Sequence, residues 1–290
     1  DNVIKLLDEG NTIPFIARYR KELHGAMDDT QLRTLETRLT YLRNLQARRD
    51  EVKSSIENQG KLTDELSAAI DNAATLSEVE DLYRPYKQKR RTRATVAREK
   101  GLTPLADAIF AQERNAKTLE ELAKDFLNPD LGVETIEDAL AGANDIIAEQ
   151  ISDDAELRKG LRAMTQKKAV CASKPAKEDE DSVYRLYYDF TQPVSKLQSH
   201  QILALNRGEK EGFLKVSLDL DRAACLQLIK RSVVRPGSSC MAFVAAAAED
   251  SFDRLLEPSM ERELRTALTD TANEQAIHNF ALNLRPLLMQ

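Results

Sequence analysis

The chain has 290 residues, 42% of them hydrophobic and 31% charged, with a formal net charge of −6 and no tryptophan. That balance excludes a disordered tail and argues against a dedicated basic nucleic-acid domain, and no apolar run reaches the roughly 20 residues that span a bilayer. Few glycines among many Ala, Leu, Glu, Lys and Arg favour helix over sheet, and the length predicts two or three subdomains.

Val3 to Glu9 is predicted as a short helix carrying Ile4 and Leu7, stopped by Gly10 and Asn11. Pro14 restarts a helix, which a first turn tolerates. The segment PFIARYRK puts Phe15 and Tyr19 four residues apart on one face, with Arg18, Arg20 and Lys21 around the rest. Helix, glycine turn and helix is the outline both of a DNA-reading motif and of a plain helical hairpin. Asp28 and Asp29 cap a long helix to about Gln59. Its leucines, Leu32, Leu35, Leu39, Leu42 and Leu45, continue into Val52 and Ile56 as one packing seam, with Arg48 to Glu51 on the solvated face. Thr63 caps a short helix, and Ser77 with Glu80 forms a capping box for the next.

The most concentrated charge follows. Between Arg84 and Arg93 six of ten residues are basic (Arg84, Lys87, Lys89, Arg90, Arg91 and Arg93), no acid intervenes, and Tyr83 and Tyr86 flank Pro85. Proline ends the incoming helix, so the segment reads as an extended strap between two helices. The strap offers charges for phosphates and tyrosines for base stacking. It equally suits a structural brace in which arginines pair with carboxylates and tyrosines anchor to a core.

Thr103 and Pro104 open a helix with Leu105 and Ile109 inward. Capped helices then begin near Thr118, Thr135 and Asp153, in pairs without a fixed-period repeat. KPAKEDED, Lys174 to Asp181, is a charged loop and the expected domain boundary, separating residues 1–175 from 182–290. Ser199 caps a helix ended by Gly208. GFLKVSLDL, Gly212 to Leu220, alternates as a strand, with Val183 to Phe190 as its expected partner. Two further helices follow, near Arg222 to Arg231 and Met241 to Leu256, and Pro258 opens the last. The expected fold is therefore mainly α: a multi-helix array with a helix-turn-helix-like start and a small β element near 183–220.

Catalytic signals are sparse. His24, His200 and His278 lie in no metal-ligand spacing, no glycine-rich phosphate loop or nucleophile elbow occurs, and Cys171, Cys225 and Cys240 form no C-x-x-C pair. The cysteines suit small buried thiols in a reducing cytoplasm. No enzyme, metal or cofactor is expected.

GNTIPFIARYRKE (Gly10 to Glu22), DDTQLR (Asp28 to Arg33), the run from Val79 through KRRTRATVAREKGLTPLAD, SHQILALNRGEKEG (Ser199 to Gly212) and Pro258 to Met289 together resemble the Tex family of bacterial transcription accessory proteins. The resemblance implies a modular nucleic-acid-binding protein: a helical N-terminal region, a YqgF-type nuclease-like domain, helix-hairpin-helix units and an RNA-binding OB-fold. It implies that this chain is the helical N-terminal region, cut from a longer protein, leading to a YqgF-like domain. The implied partners are RNA or DNA through the full-length protein, the transcription machinery and other domains of the same chain, with no membrane partner. Gln88 and Gln201 stand where more basic residues are expected. Two readings follow. Either the strap contacts phosphates, or it docks helices and domains within the protein.

Overall fold

A computed structural model describes residues 2–25, 27–114, 117–176 and 183–288 of the protein, with side chains through residue 284. The chain is mainly α-helical with one small antiparallel sheet, and divides into two compact units, Asp1–Lys87 and Gln88–Gln290.

The first unit is built of α1 (Asn2–Asp8), α2 (Ile13–Tyr19), α3 (Lys21–His24), α4 (Asp29–Glu57), α5 (Asp64–Asn72) and α6 (Leu76–Tyr83). Asp28 caps α4: its carboxylate accepts the Gln31 N–H at 2.7 Å while the Gln31 side chain accepts the Asp28 N–H at 3.1 Å. The expected leucine seam is buried only at its two ends. Leu32 joins Val3, Leu6, Ile13 and Ile16 in one cluster. Leu45, Val52 and Ile56 join Ile70, Ala73 and Val79 in another. Leu42 between them is 45% exposed. The solvated face expected at Arg48 and Arg49 is instead a clamp. Arg48 Nε donates to Glu80 at 2.6 Å and Arg49 Nη2 to the Ala73 carbonyl at 2.7 Å, tying α6 and the α5 end to α4. Glu80 is thereby taken from the expected capping box, and Thr75 caps α6 by accepting the Glu78 N–H at 3.2 Å.

The second unit contains α7 (Arg93–Glu99), α8 (Thr103–Ala111), α9 (Leu119–Lys124), α10 (Ile136–Asp153), α11 (Ala155–Lys168), β1 (Val170–Pro175), β2 (Phe190–Pro193), α12 (Ser199–Lys210), β3 (Leu214–Asp219), α13 (Arg222–Val233), α14 (Met241–Ser251) and α15 (Glu257–Leu288). A π-helical stretch, Phe252–Leu256, joins the last two helices without a break. Helix α10 is the hub, packed on α7, α8, α9 and α14. Its inward residues Ala139, Ala143, Ile146, Ile147 and Ile151 are all buried. Gly142 lets the Leu102 side chain press onto α10, because a β-carbon there would collide with the leucine δ-methyl.

The sheet corrects the expected strand pairing. Its order is β2-β1-β3, both pairs antiparallel, with Cys171 opposite Gln192 on one side and Leu218 on the other. The central strand, Val170–Pro175, is one that alternation did not single out, because Ala, Cys and Ser carry weak strand preference. Residues 185–187 form a 3-10 turn rather than a strand, and only Phe190 of the expected partner pairs, with Ser173. The charged loop 174–181 falls largely outside the described residues; β1 ends at Pro175 on its near side.

Helix starts moved by one or two residues where a neighbour made the better cap. Asp154, not Asp153, accepts the Leu157 N–H, at 2.7 Å. Gln198, not Ser199, caps α12, in a box with Gln201. Gly208 does not stop α12, which runs to Lys210. A β-carbon at 208 would sit 2.6 Å from Leu214 Cδ1 and 3.0 Å from the Tyr184 ring.

Candidate nucleic-acid interface

The basic strap begins where Pro85 ends α6. The Tyr86 and Lys87 N–H groups both donate to the Tyr83 carbonyl, at 2.9 and 3.0 Å, closing a turn. The two tyrosines serve the core of the first unit. The Tyr83 hydroxyl shares a 3.0 Å hydrogen bond with Ser55, and the Arg48 guanidinium stands 5.5 Å over its ring. Gln59 Nε2 donates to the Tyr86 carbonyl at 3.0 Å, and both rings pack against the cluster around Val52 and Val79. An aromatic held in this way is an anchor, not a platform open to a base. Arg84 is half-buried at the helix end, and Lys87 is exposed without an ion pair among the described residues.

From Gln88 onward the strap belongs to the second unit. Lys89 Nζ makes an ion pair with Asp153 and stands 3.5 Å from Glu149 Oε1. Arg98 Nη1 donates to Glu149 Oε2 at 2.6 Å, and the Thr92 hydroxyl lies 3.2 Å from Oε1. Thr92 is also the N-cap of α7, accepting the Thr95 N–H at 3.0 Å. Burial alone raises the Glu149 carboxyl pKa. The Arg98 hydrogen bond, the Lys89 and Arg98 charges and Thr92 together outweigh it, so the group is held below its ordinary value.

The acceptor face has a simple origin. Asp145, Glu149 and Asp153 are spaced by four on α10, so they form one stripe. At its other end Asp145 accepts from Arg254 at 2.9 Å, and Arg254 also holds Asp250 at 2.7 Å. Burial raises the Asp145 pKa against the pull of Arg254 and Arg93. The Arg254 hydrogen bond lowers that of Asp250. The sequence signal was present as an i, i+4, i+8 run of acids, but nothing in one dimension tied it to the strap.

The six strap cations therefore separate by role. Lys89 is committed to α10. Arg91 meets Glu99 at 3.1 Å on the surface, where such a pair contributes little. Arg90 and Arg93 are exposed and form no ion pair among the described residues, although the Arg93 charge reaches Asp145 and Asp250. Helix α10 thus gathers part of the strap and leaves the rest facing solvent.

Other chemistry finds no comparable convergence. His24 is buried, whereas His200 and His278 are exposed, and no group of three or more His, Cys, Asp or Glu among the described residues is placed to hold a metal. The cysteines are buried free thiols; burial raises Cys171 and, with the nearby Asp221, Glu257 and Asp219 charges, pushes Cys225 up to about 11. An open groove of about 530 Å³ lies between the α1–α2 turn and α4, but its two arginines are taken, Arg33 by Asp29 and Arg43 by Asp8. No helix among the described residues is long and apolar enough to cross a membrane.

Comparison with known proteins agrees with the sequence blocks. Residues 1–57 match the model of the Tex-like protein N-terminal domain, and residues 114–280 that of the Tex central region-like family. The strap lies between these two matches. Over its whole length the chain is 45% identical to the uncharacterized protein YdcI of Bacillus subtilis, covering 41% of that protein. It is 39% identical to the transcriptional accessory protein Tex of Neisseria gonorrhoeae over 99% of the chain and 38% of that protein. It is 32% identical to the human S1 RNA-binding domain-containing protein 1 over 99% of the chain and 30% of that protein. The chain thus spans about two-fifths or less of the length of these relatives.

Proposed function

Because this chain belongs to the Tex family, we propose that it is a non-catalytic helical scaffold of a cytoplasmic transcription accessory protein, and that it touches nucleic acid through Lys87, Arg90 and Arg93. The observation that carries this reading is the division within the strap. Lys89 is spent on Glu149 and Asp153, while Lys87, Arg90 and Arg93 are exposed without ion pairs among the described residues. Unpaired cations beside a fixed brace suit phosphate contacts, which position a polyanion without reading sequence. Arg84 and Arg91 complete the basic segment as weaker contributors, since Arg84 is half-buried and Arg91 already has Glu99.

RNA or DNA is the proposed partner, reached in company with the remainder of the longer protein and the transcription machinery. The names of the Neisseria and human relatives, a transcriptional accessory protein and an S1 RNA-binding domain-containing protein, support that assignment. The brace itself supports a second role for Lys89, which positions the start of α7 and hence whatever docks beside it.

Fluorescence anisotropy with a labelled oligonucleotide at low salt tests the proposal. The expected result is weak binding whose affinity falls with salt. Lys87→Ala, Arg90→Ala and Arg93→Ala together should reduce the salt slope by about two on a single strand. Absence of binding, or a slope unchanged by the triple variant, would overturn it.

A further inference from the structure

The α2–α3 junction of the first unit carries cations that form no ion pair among the described residues. Arg18, Arg20 and Lys21 lie within four residues at the α2–α3 junction, all exposed, and none forms an ion pair among the described residues. Arg33, Arg43, Arg48 and Lys53 of the same unit pair with Asp29, Asp8, Glu80 and Asp71, whereas Lys5, Arg38, Lys61 and Lys87 form no ion pair among the described residues but are scattered along the chain. Three cations against the single acid Glu22 leave the junction with a net positive charge in an acidic chain.

The same patch exposes aromatic surface. Helix α2 buries Ile13 and Ile16 completely or nearly so and turns Phe15 and Tyr19 outward, 37% and 60% exposed. Their ring centroids are 5.3 Å apart and tilted by 44°, and the Arg20 guanidinium lies 5.7 Å from the Phe15 ring. A core aromatic would be covered; Tyr19 is the more exposed of the two, while the Phe15 ring carries the Arg20 guanidinium over it. Rings beside unpaired cations are the two components of a single-strand site, in which bases stack and phosphates meet charge. A duplex keeps its bases stacked on one another and offers such rings nothing.

We propose that the Phe15–Tyr19 face with Arg18, Arg20 and Lys21 binds single-stranded nucleic acid. It rests on the reading that this chain binds nucleic acid, and it adds residues other than those of the strap. The charge complementarity selects a polyanion, and the exposed aromatic pair selects one with unpaired bases.

The test uses the 290-residue chain with fluorescein-labelled U12 RNA, dT12 DNA and a 12-base-pair duplex. Phe15→Ala with Tyr19→Ala should weaken single-strand binding by about tenfold per ring and leave duplex binding unchanged. Arg18→Gln, Arg20→Gln and Lys21→Gln together should reduce the single-strand salt slope by about two. Phe15→Tyr with Tyr19→Phe, which keeps both rings, should bind like the parent and controls for folding. Equal binding by the parent and the alanine pair overturns the inference. So does equal loss on duplex and single strand, which would mark the hairpin as a duplex-binding element. Loss only in the strap variant overturns this inference while sustaining the proposed function; no binding by the parent overturns both. A preference between U12 and dT12 identifies which strand type the face takes.

Discussion

Arg98 and Glu149, 51 residues apart in sequence, meet at 2.6 Å over the buried edge of α10. The same carboxylate receives Lys89 and Thr92, so a single acid joins the end of the strap, the cap of α7 and the hub helix. Glu149→Ala should therefore destabilise the second unit by about 2 kcal/mol, less than a fully buried pair because both cations keep partial access to water. Urea unfolding measures it. Arg91→Ala, whose partner is a surface carboxylate, should change stability by less than about 0.5 kcal/mol.

The pH dependence has a definite sign. The folded pKa of Glu149 lies below its ordinary value, so its contribution is present above about pH 4.5 and is lost as pH falls through the folded pKa. Thermal melts of the parent and Glu149→Gln should converge as pH falls below that value. Parallel curves across the acid range would contradict the assignment.

Arg158 is fully buried, and its Nη2 donates both to Ser259 at 3.0 Å and to Glu263, which Arg162 also holds at 3.0 Å. The pair fixes α11 to α15, and its two halves should not be equivalent. Glu263→Ala removes the carboxylate shared by the buried Arg158 and by Arg162 and should cost about 3 kcal/mol. Arg158→Met leaves Glu263 its Arg162 partner and replaces charge by apolar volume, so it should cost about half as much. Denaturant midpoints of the two variants decide the order.

Three helical glycines look alike in sequence and should behave differently. At Gly160 the nearest atoms to an added β-carbon are Leu228 methyls at 3.6 and 3.7 Å, so Gly160→Ala should stabilise by about 0.5–1 kcal/mol. At Gly208 the Leu214 Cγ would be 2.9 Å away and the Tyr184 ring 3.0 Å, so Gly208→Ala should destabilise by about 1–3 kcal/mol despite better helix propensity. Gly142→Ala should lose stability for the same reason, against Leu102.

The three thiols should be slow. Cys171, Cys225 and Cys240 are buried, and the Cys225 thiol, at about 11, is protonated at neutral pH. Only the thiolate attacks a disulfide reagent. Ellman's reagent at pH 8 should titrate almost nothing in the native chain and three thiols in guanidinium.

The legible part of this molecule was local. The capping box at Thr118–Glu121, the helix start at Thr135, the stop at Pro85 and the alternation of Leu214 to Asp219 all lie within a few residues of chain, and each stands in the structure. What failed was long-range. Glu80 had two possible jobs, a cap three residues away or a clamp on Arg48, 32 residues away, and packing chose the second. The central strand was missed because its identity comes from two neighbours on either side rather than from its own composition. Likewise the strap's charge was visible at once, while its acidic counterpart needed α10 to be placed beside α7.

One consequence concerns the long helix α4. At 1.5 Å per residue its 29 residues extend about 43 Å, and its two buried clusters occupy opposite ends with the exposed Leu42 between. The helix is an axle with a separate wheel at each end. Inserting one residue after Leu42 would turn α1–α3 by about 100° around that axle relative to α5 and α6. It would break the Arg43–Asp8 pair and lift Tyr41 from its half-buried seat, while leaving both clusters intact. The relative aim of the α2 face is thus set by residue count along one helix, a quantity that can be changed in single steps without remaking either core.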